Sequence, residues 1–155
     1  MAKQEIEEPL LDKKDNTRVQ QVVGKVLFYA RAIDSNLLMG LNTIASQQEN
    51  ATARTAMLVT HILNYCATYP DAVLTFDASD MILHIHTDAS FLSEPKAKSR
   101  AGGYFFLSDF PKDPTKAMHN APIHILCQIL RNVLASAREA ELAAMFENAQ
   151  MGAII

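Results

Sequence analysis

The hydrophobic period changes near Pro70, and that change constrains the fold of this chain more than any other feature. Before it, apolar residues recur at three- and four-residue steps, the spacing of one face of a helix. Val19, Val22, Val23, Val26, Leu27 and Ala30 form one such stripe. Leu37, Leu38, Leu41, Ile44 and Ala45 form a second, and Ala53, Met57, Leu58, Ile62 and Tyr65 a third. After Pro70, short β-branched and aromatic runs alternate with turn residues, which is strand texture. Helices, then strands, then a last helical stripe make an α+β order.

The spacing predicts three helices over residues 17–70, with Thr17 as N-cap and breaks at Asp34-Ser35 and 47–50. Pro70 ends the third, because proline disfavours helix in the residue before it. Residues 1–16, rich in Glu, Lys and Asp, read as a disordered leader. Strands are predicted at 73–76, 81–87, 104–107 and 123–126, mostly antiparallel, with a turn at 77–80 and a proline-marked loop at 109–114. From Ser136 onward, Leu142, Met145, Phe146 and Ala149 predict a helix packed on the sheet. The expected organisation is thus a leader (1–16), a three-helix segment (17–70) and a strand-rich domain (71–155).

Length and charge narrow the function classes. A chain of 155 residues supports one domain, or one domain with a helical appendage. A net charge of -3 argues against wholesale electrostatic wrapping of nucleic acid, but leaves room for a local basic patch. Cys66 and Cys127 match no metal or redox spacing and read as free thiols in a reducing compartment. No secretory signal or membrane span is visible, so the expectation is a soluble intracellular protein.

Chemistry concentrates in one stretch. Met81-Ile-Leu-His-Ile-His-Thr-Asp-Ala-Ser90 reads as a strand presenting Asp88, and Arg100-Ala-Gly-Gly-Tyr-Phe-Phe-Leu107 as a strand entered through a glycine pair. Alternation places His84, His86 and Asp88 on one strand face. Asp88 serves either as a turn residue or as a metal ligand. Mg²⁺ takes hard oxygen donors, usually one or two carboxylates, and Glu139 or Glu141 of the last helix is a candidate for the second. Those two flank the apolar stripe at opposite edges, so helical phase does not choose between them. The string His84-x-His86-x-Asp88 also matches the front of the zinc-binding His-x-His-x-Asp-His motif of metallo-β-lactamase-fold hydrolases. Ala89 stands where that motif needs its next histidine. Lys96, Lys98 and Arg100 form a basic cluster on one side of an extended segment, either a solvated loop edge or a contact to a phosphate backbone.

Four motifs together resemble a known family. Arg18-Val-Gln-Gln-Val-Val-Gly-Lys-Val-Leu-Phe-Tyr-Ala30 comes first, then His61-Ile-Leu-Asn-Tyr65. Thr87-Asp-Ala-Ser90 with Ser99-Arg-Ala-Gly-Gly-Tyr104 follows, then Ala135-Ser-Ala-Arg-Glu-Ala-Glu-Leu142. In this order they resemble copia-type retrotransposon polyproteins, at the end of the reverse transcriptase and the start of its ribonuclease H domain. The resemblance covers roughly residues 17–150. It implies a ribonuclease H-like fold and hydrolysis of RNA in an RNA–DNA hybrid with two Mg²⁺ (or Mn²⁺) ions. Asp88 corresponds to the first-strand aspartate. The family's Ser-Thr-x-Glu-Ala-Glu-Tyr stretch matches Ser136 to Leu142, which favours Glu141 as the helix carboxylate with Glu139 in reserve. Lys96, Lys98 and Arg100 would approach the hybrid.

The family continues with a further strand ending in an Asp-Asn-type motif, and later another aspartate; this sequence shows neither. The resemblance therefore implies a truncated domain whose two-metal clamp is incomplete, whose activity alone is not expected, and whose sheet keeps an open edge liable to self-association. Its partners would be the rest of the polyprotein, in the cytoplasm or in virus-like particles. The alternative is a non-catalytic interaction or assembly protein built on the same scaffold.

Overall fold

The computed structural model describes residues 8–110 and 120–155, and it divides the chain into two compact units, Met1–Val73 and Leu74–Ile155. Among the described residues no helix is long and apolar enough to cross a membrane.

The first unit is built from three helices: α1 (Lys13–Ala32), α2 (Leu38–Gln47) and α3 (Ala53–Thr68). α1 starts four residues before the expected Thr17, because Asp12 caps it: its Oδ1 accepts from the Asp15 N–H at 2.7 Å. Thr17 instead bonds back to the Lys13 carbonyl from inside the helix. Residues 13–16 of the expected leader are therefore helical, and residues 1–7 lie outside the described residues. Asp34 does separate α1 from α2, accepting from the Asn36 N–H at the head of a single 3-10 turn, Ser35–Leu37. Val19, Val23 and Ala30 of α1 bury with Leu38, Leu41 and Ile44 of α2, as their spacing requires. α3 departs in phase. It buries Thr55, Val59 and Ile62, while Met57 of the expected stripe is exposed.

The second unit is a three-stranded antiparallel sheet with one helix across it. Its strands are β1 (Ile82–Glu94), β2 (Lys98–Ser108) and β3 (Pro122–Ile129), in the order β1-β2-β3. The helix α4 (Ala137–Gly152) lies on β1 and β2. The expected strand at 73–76 does not form. The segment after it is pinned at Asp77, because Asn120 Nδ2 donates to the Asp77 and Leu107 carbonyls while Oδ1 accepts from the Asp77 N–H. β1 continues well past Thr87, and a register shift between Ser90 and Glu94 bends its end. Of the expected loop 109–114, residues 111–114 lie outside the described residues.

One face of the sheet carries the core. Ala101, Phe105, Leu126, Leu130, Leu134, Ala140 and Ala144 form a buried cluster, with Leu83, Ile85, Ala89 and Phe91 packed against it. α4 meets the sheet through its small residues. Ala140, Ala144 and Asn148 are buried, whereas Leu142 is 66% exposed, and Met145, Phe146 and Ala149 also face outward. The stripe expected to bury is the outer one. The reason is close approach: a Cβ on Gly103 would lie 1.7 Å from Asn148 Oδ1, so the helix rests directly on the bare backbone of β2. Asn148 Nδ2 donates to the Gly102 and Ala144 carbonyls at 2.9 and 2.8 Å.

Candidate functional site on the open face of the sheet

Side chains alternate along a strand, so Leu83, Ile85 and Ala89, which face α4, fix the direction of the residues between them. His84, His86 and Asp88 point to the opposite, open face. In β2 the same face receives Arg100, Gly102, Tyr104 and Phe106, and in β3 it receives Ile125 and Cys127. The rows across the sheet read His84–Phe106, His86–Tyr104–Ile125, Asp88–Gly102–Cys127 and Ser90–Arg100–Ile129.

At one end of this face the rings gather. His84 stacks on Phe106 with centroids 5.1 Å apart, and His86 meets it edge-on at 5.2 Å. His84 Nε2 lies 3.0 Å from the Asp109 carbonyl, and the Tyr104 hydroxyl donates to the Asn120 carbonyl at 2.7 Å. Burial pushes the Tyr104 phenol above its ordinary value, because the phenolate would lose its hydration. The two histidines are thus tied into an aromatic cluster, and no group of three or more His, Cys, Asp or Glu able to hold a metal exists among the described residues.

Asp88 lies in the middle of the face, exposed, opposite the bare Gly102. The carboxylates expected to join it stand on α4, across the sheet. Glu139 is engaged in the helix N-terminus: its Oε2 accepts from the Ala135 N–H at 2.6 Å while its own N–H donates to Ser136 Oγ at 3.2 Å. Glu141 is exposed on α4. The sheet lies between Asp88 and either glutamate, so this arrangement does not fit a Mg²⁺ or Mn²⁺ ion held jointly by Asp88 and Glu141.

The basic cluster is dispersed as well. Lys96 sits in the tight turn Pro95–Ala97 with φ 60°, and Ala97 follows with φ 54°. Two consecutive left-handed residues reverse the chain into a hairpin and take Lys96 out of the extended segment. Lys98 is half-buried at the start of β2. Arg100 is only 6% exposed, and its Nε donates to Glu94 Oε1 at 2.6 Å. Its Nη1 lies 3.5 Å from Cys127 Sγ, and its Nη2 is buried with no partner. Burial alone would lower the Arg100 guanidinium, but the hydrogen bonds to Glu94 and Cys127 outweigh it and hold it above its usual value. A guanidinium so placed is part of the sheet, not a surface contact for phosphate.

Sequence reasoning missed three residues that organise this unit, Glu94, Asn120 and Asn148, and singled out Cys127 only as a thiol. Of the three, only Glu94 left a trace, as the lone acid among the bases of 92–100. No family model matches the chain, and comparison with curated proteins and with solved structures found no match.

Proposed function

We propose that the chain is a non-catalytic piece of a copia-type retrotransposon polyprotein, spanning the end of its reverse transcriptase and the ribonuclease H-like segment that follows. One observation supports this reading most: an antiparallel β1-β2-β3 meander, carrying Asp88 on its first strand, runs directly into a helix packed on one face. In this reading RNA–DNA hybrid is the ligand of the intact polyprotein, in the cytoplasm or in virus-like particles. The chain itself holds Mg²⁺ weakly at most, since Asp88 and Glu141 stand on opposite sides of the sheet. Incubating the purified chain with RNA–DNA hybrid and Mg²⁺ should yield no cleavage products. Cleavage abolished by Asp88→Asn would overturn the non-catalytic assignment.

An interaction or assembly role on the same scaffold is favoured by a separate observation. Leu142, Met145 and Phe146 form an exposed apolar stripe on α4, and β1 has only one strand neighbour among the described residues. Large exposed apolar patches and unpaired strand edges mark contact surfaces. A concentration-dependent shift in sedimentation that Phe146→Glu suppresses is the expected sign of such a role; a monomer at all concentrations would count against self-association.

A further inference from the structure

Cys127 and Arg100 form a close pair on the face of the sheet that carries Asp88. Cys127 is half-buried on the open face and Arg100 Nη1 reaches its sulfur at 3.5 Å. Glu94 anchors the guanidinium through Nε at 2.6 Å, so the fork is fixed in place. The remaining nitrogen, Nη2, is buried without an acceptor. A buried cationic donor with no partner is destabilising, and a guanidinium presents its donors in a rigid planar fork. An oxygen placed on the Cys127 sulfur would lie beside this fixed guanidinium. We propose that Cys127 is a site of oxidation to sulfenic acid by hydrogen peroxide, with Arg100 as the positioning residue beside the new oxygen.

The step is balanced with peroxide as the only oxidant. The thiolate sulfur attacks one peroxide oxygen, an S–O bond forms and the O–O bond breaks. Hydroxide departs and takes up the proton that the thiol gave up, leaving water. Sulfur is oxidised by two electrons and peroxide is reduced by two. Cationic N–H donors beside a thiol are among the surroundings that raise its reactivity, and sulfenic acid is the first, reversible rung of cysteine oxidation.

The chain contains its own control. Cys66 is also half-buried and outside any disulfide. Burial first, and then the nearby Asp34 carboxylate, push its thiol above the ordinary value, which disfavours the nucleophilic form. The test is exposure of the whole chain to hydrogen peroxide with a dimedone-type trap, and mass-spectrometric counting of adducts at each cysteine. Cys127 is expected to be trapped about tenfold faster than Cys66 or more. Arg100→Lys, which keeps the charge but removes the fork, should abolish most of that advantage while Cys66 is unchanged. Equal trapping at the two cysteines, no trapping at Cys127, or an undiminished rate in a folded Arg100→Lys variant would overturn the proposal. The comparison within the native chain stands even if that variant does not fold.

Discussion

Replacing Gly103 with alanine isolates the contact that seats α4 on the sheet. The new Cβ would lie 1.7 Å from Asn148 Oδ1, 2.7 Å from its Cγ and 3.0 Å from Phe105 Cε2. Asn148 is 1% exposed and cannot swing into solvent, and Phe105 is fully buried. Forcing a methyl group into such packing costs typically 1–3 kcal/mol. Moving Asn148 also breaks its bonds to the Gly102 and Ala144 carbonyls, at about 1 kcal/mol each. The expected total is about 3–5 kcal/mol, a large part of the ~5–15 kcal/mol that holds an ordinary domain together. Asn148→Ala alone should cost only ~1–2 kcal/mol, because it removes two bonds but also deletes an Oδ1 that has no partner. The double variant should then be about as stable as Asn148→Ala, since the methyl group occupies the vacated space. The assay is urea unfolding followed by amide hydrogen exchange in β2, which reads this unit separately from the helical one. Costs that simply add, to within about 0.5 kcal/mol, would refute the direct clash.

Three further outcomes follow from the same geometry. Glu94→Ala leaves Arg100 buried with its main ion-pair partner removed and should destabilise the sheet unit by about 3–5 kcal/mol, whereas Glu94→Leu with Arg100→Met should recover most of the loss in the same unfolding assay. The raised Tyr104 phenol contributes stability that is complete below the unfolded value near 10 and is lost as pH rises through the higher folded value. Tyr104→Phe should therefore flatten the alkaline fall in melting temperature above about pH 10, and an identical fall in both proteins would exclude Tyr104 as its source. Ala97→Gly relieves a left-handed residue in the hairpin turn and should stabilise the unit by about 1 kcal/mol in urea unfolding; a loss of stability would mean that the turn is not strained there.

The helical unit was largely legible because large apolar residues do the burying in α1 and α2, and hydrophobic period reads large apolar residues. Of the four expected strands the last three form, antiparallel and in order, and Asp88 stands on the first of these; the strand expected at 73–76 does not form. α4 misled for a physical reason. Helix and sheet approach so closely at Gly103 that only alanines and one asparagine fit between them, and the bulky stripe that a periodicity reading assigns to the core is left outside. The glycine pair was visible, but not which glycine mattered: a Cβ on Gly102 would meet only the Asp88 carbonyl at an ordinary 3.7 Å. Arg100 read as a surface base because Glu94 joins it across a bulged hairpin turn, a pairing that strand alternation alone does not reveal. The face of Asp88 relative to α4 was likewise hidden, since it depends on which residues of β1 the helix covers.

The placement of Asp88 and Glu141 on opposite sides of the sheet is tested most directly by paramagnetic broadening with Mn²⁺. Mn²⁺ affinity of the chain would be measured from the broadening, and again with Asp88→Asn and with Glu141→Gln. Opposed carboxylates should give no common site, so any affinity lost in Asp88→Asn should be unchanged in Glu141→Gln. An equal loss of affinity in both variants would show that the two carboxylates share one ion and would contradict the arrangement described.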